Sequence, residues 1–464
     1  MKTVVWWIRR DLRLNDNTAL KSAVNTGLPI IPLFIIDPAL KKSPGHTRQN
    51  FLYEGLHCLQ KDLSSRGNAL IIKEGPPLHI LAELVANYEV QMIFAEEDFT
   101  PYAIKRDDLI SQSLPLTLTS GLTFIHPGQV RKSDGNPYTI FTPFSKAWKS
   151  LPITASEPWK APTNILANPS IKSNPFPTYT KSSLFTAGEY EAAQRLFQFA
   201  QDKIYNYKEE RDRMDLDGTS TLSPYLRFGM LSINQALFAI QKIQNRNLSN
   251  SQEQGVATWF NELIWREFYQ NILYHFPNVK QEAFNPKYRN IEWLNSAEHL
   301  NAWKNGQTGF PIVDAAMRQL SSTGWMHNRA RMIVASFLSK DLLINWQEGE
   351  SWFMDNLIDG DLAANNGGWQ WTAGVGTDAA PYFRIFNPYL QSEKFDPQGE
   401  YIRKWIPELS LLPNKYIHHP DLMPSAEQLN YGCKIGKDYP APIINRKETR
   451  QRTLDAYKKA SSLL

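Results

Sequence analysis

The sequence predicts an α/β domain followed by a larger all-α domain. Over the first 130 residues, short β-branched and aromatic runs alternate with segments of helical period. A stretch dense in Pro, Ser, Thr and Asn follows, and beyond Gly188 nearly every segment has helical period without strand-length alternation. The expected domains are therefore residues 1–130, an extended linker over 131–187, and a helical domain over 188–464.

The strand-like runs are Val4 to Ile8, Ile30 to Ile36, Leu70 to Lys73, Met92 to Ala95 and Leu122 to Ile125. Between them, Asn17 to Val24, Phe51 to Leu63 and Leu78 to Ala86 have helical period. Continuous apolar strands alternating with helices indicate a doubly wound parallel sheet, covered on both faces. Ligands of such sheets bind at the carboxyl ends of the strands, where Arg9 to Asp11, Asp37 and Glu96 to Asp98 fall. No GxGxxG follows the first strand, which argues against a dinucleotide site there. The linker is densest in Pro and Ser from Leu151 to Phe185, and the final Arg446 to Lys459 segment reads as a basic helix with a solvated face.

Lysine and arginine (50) nearly balance aspartate and glutamate (46), so a net charge of +4 gives only a weak overall field. Any nucleic-acid site must be a local patch. Cys58 and Cys433 match no metal spacing or disulfide framework, which suits a reducing compartment, and the cytoplasm is expected. No signal-peptide core and no run of membrane-spanning length occurs, and a monomer is expected. Ten of the 14 tryptophans lie between Trp259 and Trp405, which concentrates the aromatic load in the helical part.

Four segments carry chemistry. The run from Asp359 to Trp371, DGDLAANNGGWQW, reads as a Gly-containing turn. Its paired acids and amides offer acceptors and donors, and Gly367 and Gly368 let the backbone approach a flat ligand. In Thr219-Ser-Thr-Leu-Ser-Pro224, Ser223 suits an N-cap, and the free N–H groups there suit a diphosphate; capping alone would need one such residue. Thr258 to Phe276 has an apolar stripe of Phe260, Ile264, Phe268 and Ile272. A separate ridge of Glu262, Trp265, Arg266 and Tyr269 reads either as a pocket wall for a flat polar ligand or as a surface Glu–Arg pair beside a core Trp. In Trp325 to Met332, Asn328, Arg331 and Met332 share a helix face. Arg331 is expected to pair with a loop aspartate and Arg329 to stay free for a phosphate. No metal is expected, because His327 has no second ligand at a zinc spacing.

The motifs WWIRRDLRLNDNTAL, TSTLSPYLRFG, NELIWREFY, GFPIVDAAMRQL, TGWMHNRARM and DGDLAANNGGWQW occur in one chain and in this order. In this the sequence closely resembles the class I cyclobutane pyrimidine dimer photolyases of the photolyase and cryptochrome family, over nearly its whole length. The resemblance implies a helical domain holding one non-covalent FAD, active in its reduced anionic form. Tyr207, Thr219, Ser220, Thr221, Leu222, Ser223, Arg266, Arg331, Asp359, Gly360 and Asp361 would bind it, with Asn365 facing the flavin N5. It implies UV-damaged DNA as partner, with the dimer flipped out of the duplex into a cavity above the flavin. Photolyases are among the standing examples of base flipping, which costs least for damaged bases.

In that cavity Trp265 and Trp371 match the aromatic walls, Glu262 and Asn328 the groups that hydrogen-bond the pyrimidines, and Met332 a further contact. Arg211, Arg329, Arg384 and Gln391 match positions that touch DNA around the lesion. The implied reaction is light-driven electron donation to the dimer, ring splitting and electron return. Trp369, Trp346 and Trp293 match an electron relay to the surface. A second, antenna chromophore is implied, either 8-hydroxy-deazaflavin, for which Asp11, Arg48 and Asp98 fit, or methenyltetrahydrofolate, for which Lys280 fits.

Two alternatives share these motifs. A cryptochrome would keep the flavin and tryptophans but signal through a partner. A (6-4) photolyase would use paired histidines at the lesion, which His327 alone does not supply.

Overall fold

The computed structural model describes residues 2–41, 45–152, 154–167 and 171–462, which include every candidate site residue. Five parallel strands, β1 (Thr3–Ile8), β2 (Ile30–Ile36), β3 (Ile71–Glu74), β4 (Val90–Glu96) and β5 (Leu116–Thr119), form one sheet in the order β3-β2-β1-β4-β5. The central strand β1 is buried at every position, as a strand covered on both faces requires. It pairs in register with β2 (Val5 with Ile31, Trp7 with Leu33) and with β4 (Val5 with Ile93). Helices α1 (Thr18–Asn25), α2 (His46–Ser64), α3 (Pro77–Asn87) and α4 (Pro101–Ser111) connect the strands. Val5, Trp7, Ile31, Leu33, Ile71, Leu81, Leu84 and Ile93 form one sheet core, each contributing about 1.5–3 kcal/mol if fully buried.

The fifth strand is not the expected one. Leu122, Thr123 and Ile125 are buried, but the N–H groups of Phe124 and Ile125 donate to the Glu267 carboxylate at 2.9 and 3.2 Å instead of to a ladder. The true edge strand alternates threonine with leucine and is only half-buried, so it lacks the continuous apolar run used to find the others. The expected linker is not extended throughout, because a ten-residue helix, Phe141–Ser150, lies within it, and it is not detached. Ile30 N–H donates to Leu166 O and Asn174 N–H to Ile72 O, so the segment lies along the sheet domain.

Among the described residues beyond 188 the chain is helical, with no strand. The elements used below are α5 (Phe141–Ser150), which precedes that part, and within it α6 (Glu189–Gln201), α7 (Ser223–Phe228), α8 (Asn250–His275), α9 (Pro311–Thr323), α10 (Asn328–Ser336), α11 (Trp346–Asn356), α12 (Leu362–Ala373) and α13 (Arg446–Ser461). The chain forms two compact units that do not follow the boundaries expected from sequence. One is Met1–Lys208, Ser220–Pro277 and Ile358–Ala363; the other is Glu209–Thr219, Asn278–Leu357 and Ala364–Leu464. The first helices of the helical part thus cluster with the sheet.

One glycine explains part of that clustering. Gly229 ends α7 with φ +63, and a Cβ there would lie 1.9 Å from the Arg10 carbonyl oxygen. This close approach lets Leu12 N–H donate to Phe228 O at 3.1 Å and the Arg13 guanidinium donate to Gly229 O at 3.0 Å. In the second unit, Trp303, Phe310, Met317, Phe337, Trp346 and Trp369 belong to one large core. No described helix is long and apolar enough to cross a membrane.

Candidate functional site

In the first unit, α7 begins at Ser223, not after it. The N-cap is Leu222, with no side-chain cap hydrogen bond, which corrects the expected Ser223 cap. Ser223 is exposed. Thr221 adopts φ 50, a left-handed conformation costly for a β-branched residue, and its hydroxyl accepts from Arg195 at 3.3 Å. Strain of that kind persists where surroundings over-determine it, and here it turns the Thr219 to Leu222 backbone into the helix start. Tyr207 is buried, its ring edge-on to Phe199 at 5.8 Å.

Two cations gather in this unit: Arg10, which the sequence places at a strand end where ligands bind, and Arg227, which the sequence reading missed. Arg10 donates to Asp361 Oδ2 at 2.6 Å and lies 3.6 Å from Asp98. Burial would lower the Arg10 pKa, but Asp361 and Asp98 overcome it and the net shift is upward. Arg227 donates to the Gly360 carbonyl at 2.7 Å and lies 3.9 Å from Asp361. Burial, and then the charges of Arg10 and Arg48, push its pKa down. Arg10 and Arg227 thus share Asp361, with the charge of Arg48 felt at Arg227, a cationic cluster that suits an anion such as a diphosphate. Gln270 completes Asp361 at 3.2 Å, Arg266 donates to the Leu122 carbonyl at 2.8 Å, and Asp359 is buried.

The expected antenna residues divide. Asp11 is a structural knot: its carboxylate accepts from Trp6 Nε1, Arg9 N and Asn17 Nδ2, which fixes the turn after β1. Asp98 caps Thr100 N–H at 3.0 Å besides facing Arg10, and Arg48 is buried.

Helix α8 runs longer than expected and is buried on more than one stripe, with Trp259 and Leu263 joining Ile264, Phe268 and Ile272, while Phe260 is only half-buried. The ridge of Glu262, Trp265, Arg266 and Tyr269 is half-buried throughout, as the inside of an open pocket wall would be.

In the second unit, the segment expected as an irregular turn is helix α12; only residues up to Asp361 precede it. Asn365 and Trp369 therefore stand one turn apart on one face. Asn365 Nδ2 donates to the Glu350 backbone carbonyl at 2.9 Å, which fixes the orientation of the amide. Asn366 Nδ2 donates to the Glu350 carboxylate at 3.0 Å and to Val279 O. Burial pushes Glu350 up to about 7, against the pull of Asn366 and Lys280. Sequence reading missed Glu350, since nothing in its local pattern marks it. A Cβ at Gly368 would meet no atom, so packing does not demand this glycine.

Trp369 is buried, and its indole N–H has no partner among the described residues. Phe353 and Trp303 pack edge-on to it at 5.0 and 6.1 Å. Trp346 is equally buried, while Trp293 is half-buried against the same core, edge-on to Tyr457 at 6.2 Å. Trp371 is half-buried.

On α10, Asn328 is exposed and Met332 half-buried, with Asn328 Nδ2 3.9 Å from the Met332 sulfur. Arg331 is half-buried and donates to the Met326 carbonyl at 2.9 Å. Arg329 is not free as expected. It forks onto Asp212 at 2.7 and 3.3 Å and lies over the Phe395 ring at 4.3 Å. His327 caps α10, its ring nitrogen accepting from Arg329 N–H, and burial lowers its pKa to about 4, so it is a neutral structural residue. No cluster of three metal-ligating side chains occurs among the described residues. Arg384 is exposed, Arg211 and Gln391 are half-buried, and Lys280 is exposed near Glu350.

The first unit thus holds a cationic cluster and an aromatic ridge, and the second a buried amide and indole one helical turn apart. Residues 4–163 match the family model "DNA photolyase" and residues 259–459 the model "FAD binding domain of DNA photolyase". A curated relative from Escherichia coli named deoxyribodipyrimidine photo-lyase is 41% identical, over 99% of both chains. The structure is similar to a class III photolyase from Agrobacterium tumefaciens (36% identity, TM-score 0.94, covering 100% of this chain and 98% of that one). It is also similar to a Synechocystis cryptochrome (32%, TM-score 0.89, covering 98% and 99%). The chain belongs to the DNA photolyase family, and its cofactor is FAD.

Proposed function

We propose that the protein is a light-driven DNA repair enzyme that splits cyclobutane pyrimidine dimers. One observation carries the reading. On a single face of α12, the amide of Asn365 is fixed by Glu350 O, and one turn on Trp369 has a buried N–H with no partner among the described residues, a polar group that a bound ligand would complete. Bound and reduced, FAD supplies the excited electron that opens the cyclobutane ring and takes it back afterwards.

The chain's own residues do the rest. The Thr219 to Ser223 backbone and hydroxyls, with Arg10 and Arg227 beside Asp361, hold the diphosphate, and Tyr207, Arg266, Arg331 and Asp359 the remainder of the cofactor. Trp265 and Trp371 receive the flipped pyrimidines, each stacked base contributing about 1–3 kcal/mol. Glu262 and Asn328 hydrogen-bond their edges, and Met332, beside Asn328, fills the space next to them. Fixed donors of this kind stabilise charge as it develops on the dimer. Arg211, Arg329, Arg384 and Gln391 hold the flanking DNA. Trp369, Trp346 and Trp293 pass an electron inward from the surface. A second chromophore is part of the reading: Asp11, Arg48 and Asp98 would serve a deazaflavin, Lys280 a folate, and the absorption spectrum of the purified protein distinguishes them. The (6-4) alternative is weakened because His327, which has a capping role, is the histidine nearest in sequence to the expected lesion residues.

The test is photoreactivation in a UV-irradiated host that lacks photolyase and excision repair. Expression should raise survival only when light follows the UV dose. Equal survival in light and dark, with soluble flavin-loaded protein present, would overturn the repair reading and leave the signalling one.

A further inference from the structure

We infer that Phe141 is a positioning residue for Trp265, fixing which indole face can receive a flipped base and thereby setting discrimination between damaged and intact DNA. The inference rests on the assignment of Trp265 to the lesion pocket.

The two rings lie parallel, with centroids 3.7 Å apart and planes 4° from coplanar. Aromatic pairs left to themselves prefer offset or edge-on arrangements over a face-to-face sandwich. Packing of α5 on α8 accounts for this one. Phe144 meets Phe268 at 5.2 Å, Trp148 meets Phe260 at 5.7 Å, and Lys149 Nζ donates to Asn261 at 2.7 Å. Trp148 Nε1 also reaches the Glu267 carboxylate at 3.4 Å. These contacts run along both helices and press Phe141, the first residue of α5, onto the indole. Phe268 stands edge-on to Trp265 at 5.6 Å, and Tyr269 lies tilted at 5.6 Å.

Trp265 is half-buried, so without such support its side chain would exchange rotamers and a stacking base would have to order it. With Phe141 on one face, a base can stack only on the other, against a plane already set. Such preorganisation favours the extruded, damaged base, whose unstacking costs least. Phe141 reaches the lesion only through Trp265.

The experiment measures dark binding of full-length, flavin-loaded protein to a dimer-containing duplex and to the same duplex undamaged. The affinity ratio is compared for wild type, Phe141→Leu, Phe141→Met, Phe141→Tyr, Trp265→Ala and the Phe141→Leu/Trp265→Ala pair. The ratio should fall about tenfold in Phe141→Leu and Phe141→Met, stay near wild type in Phe141→Tyr, and fall no further in the double variant than in Trp265→Ala. Flavin content and thermal midpoint identify any variant that has lost its fold, and the Met variant serves if the Leu variant has. An unchanged ratio in folded Phe141→Leu or Phe141→Met, with a reduced one in Trp265→Ala, overturns the positioning role alone. Additive losses in the double variant also overturn it. An unchanged ratio in Trp265→Ala removes Trp265 from the lesion pocket itself.

Discussion

The side-chain amide nitrogen of Asn365 donates to the backbone carbonyl of Glu350 at 2.9 Å, in a place where both residues are buried. The bond fixes the orientation of the amide. Asn365→Asp replaces the donor with a carboxylate facing that carbonyl, at a cost of about 1–3 kcal/mol for the unsatisfied pair. The variant should melt lower and retain less FAD. A midpoint and flavin content equal to wild type would show that the amide is not held this way.

The Glu350 carboxyl gives a pH signature. Burial raises it from its ordinary 4.5 to about 7 in the folded protein, so the native state binds the proton more tightly than the unfolded one. Stability from this group is present below about pH 4.5 and is lost as pH rises through about 7. Glu350→Gln keeps an acceptor for Asn366 and cannot ionise. Its melting temperature relative to wild type should therefore rise between pH 5 and pH 8, and a difference independent of pH would refute the assignment.

How much of this was legible in the sequence depends on the physics of each element. Strands β1, β2 and β4 announce themselves by long apolar runs and β3 by its short Leu70 to Ile72 start, whereas β5 is a half-polar edge strand and was hidden. The motif from Asp359 to Trp371 stands out in the sequence, but its glycines and asparagines mask helix α12, because its polar and small side chains are held by tertiary contacts such as those of Asn365 and Asn366. Arg227, Glu350 and Phe141 act through partners distant in sequence, which no local pattern reveals.

Gly349 faces the Trp369 ring so closely that a Cβ would lie 2.0 Å from Cη2. The indole is flanked by Phe353 and Trp303 and has little room to retreat. Gly349→Ala should gain roughly 1 kcal/mol of helix propensity and lose about 1–3 kcal/mol to overpacking. Net destabilisation is expected, with a shift in Trp369 fluorescence. A variant more stable than wild type would contradict the packing.

The half-buried to buried set of Trp293, Trp346 and Trp369 separates two reactions. Trp369→Phe should abolish light-driven reduction of oxidised protein while leaving repair by chemically reduced protein intact. Equal loss of both would remove Trp369 from the relay.

Arg329 is forked onto Asp212, so its charge is shared before any phosphate arrives. Asp212→Asn should tighten DNA binding at low salt and steepen the dependence of log affinity on log salt by up to about 0.9, the contribution of one phosphate contact on duplex DNA. An unchanged slope would place Arg329 outside the DNA footprint.

The most direct measurement incubates chemically reduced protein with an oligonucleotide carrying one cyclobutane dimer, in the dark and under near-UV or blue light, and counts restored pyrimidines by chromatography. Restoration in light alone, over many turnovers and with no net oxidation of the protein, is the expected result. A flavin-loaded protein that binds the dimer yet restores none under illumination would contradict it.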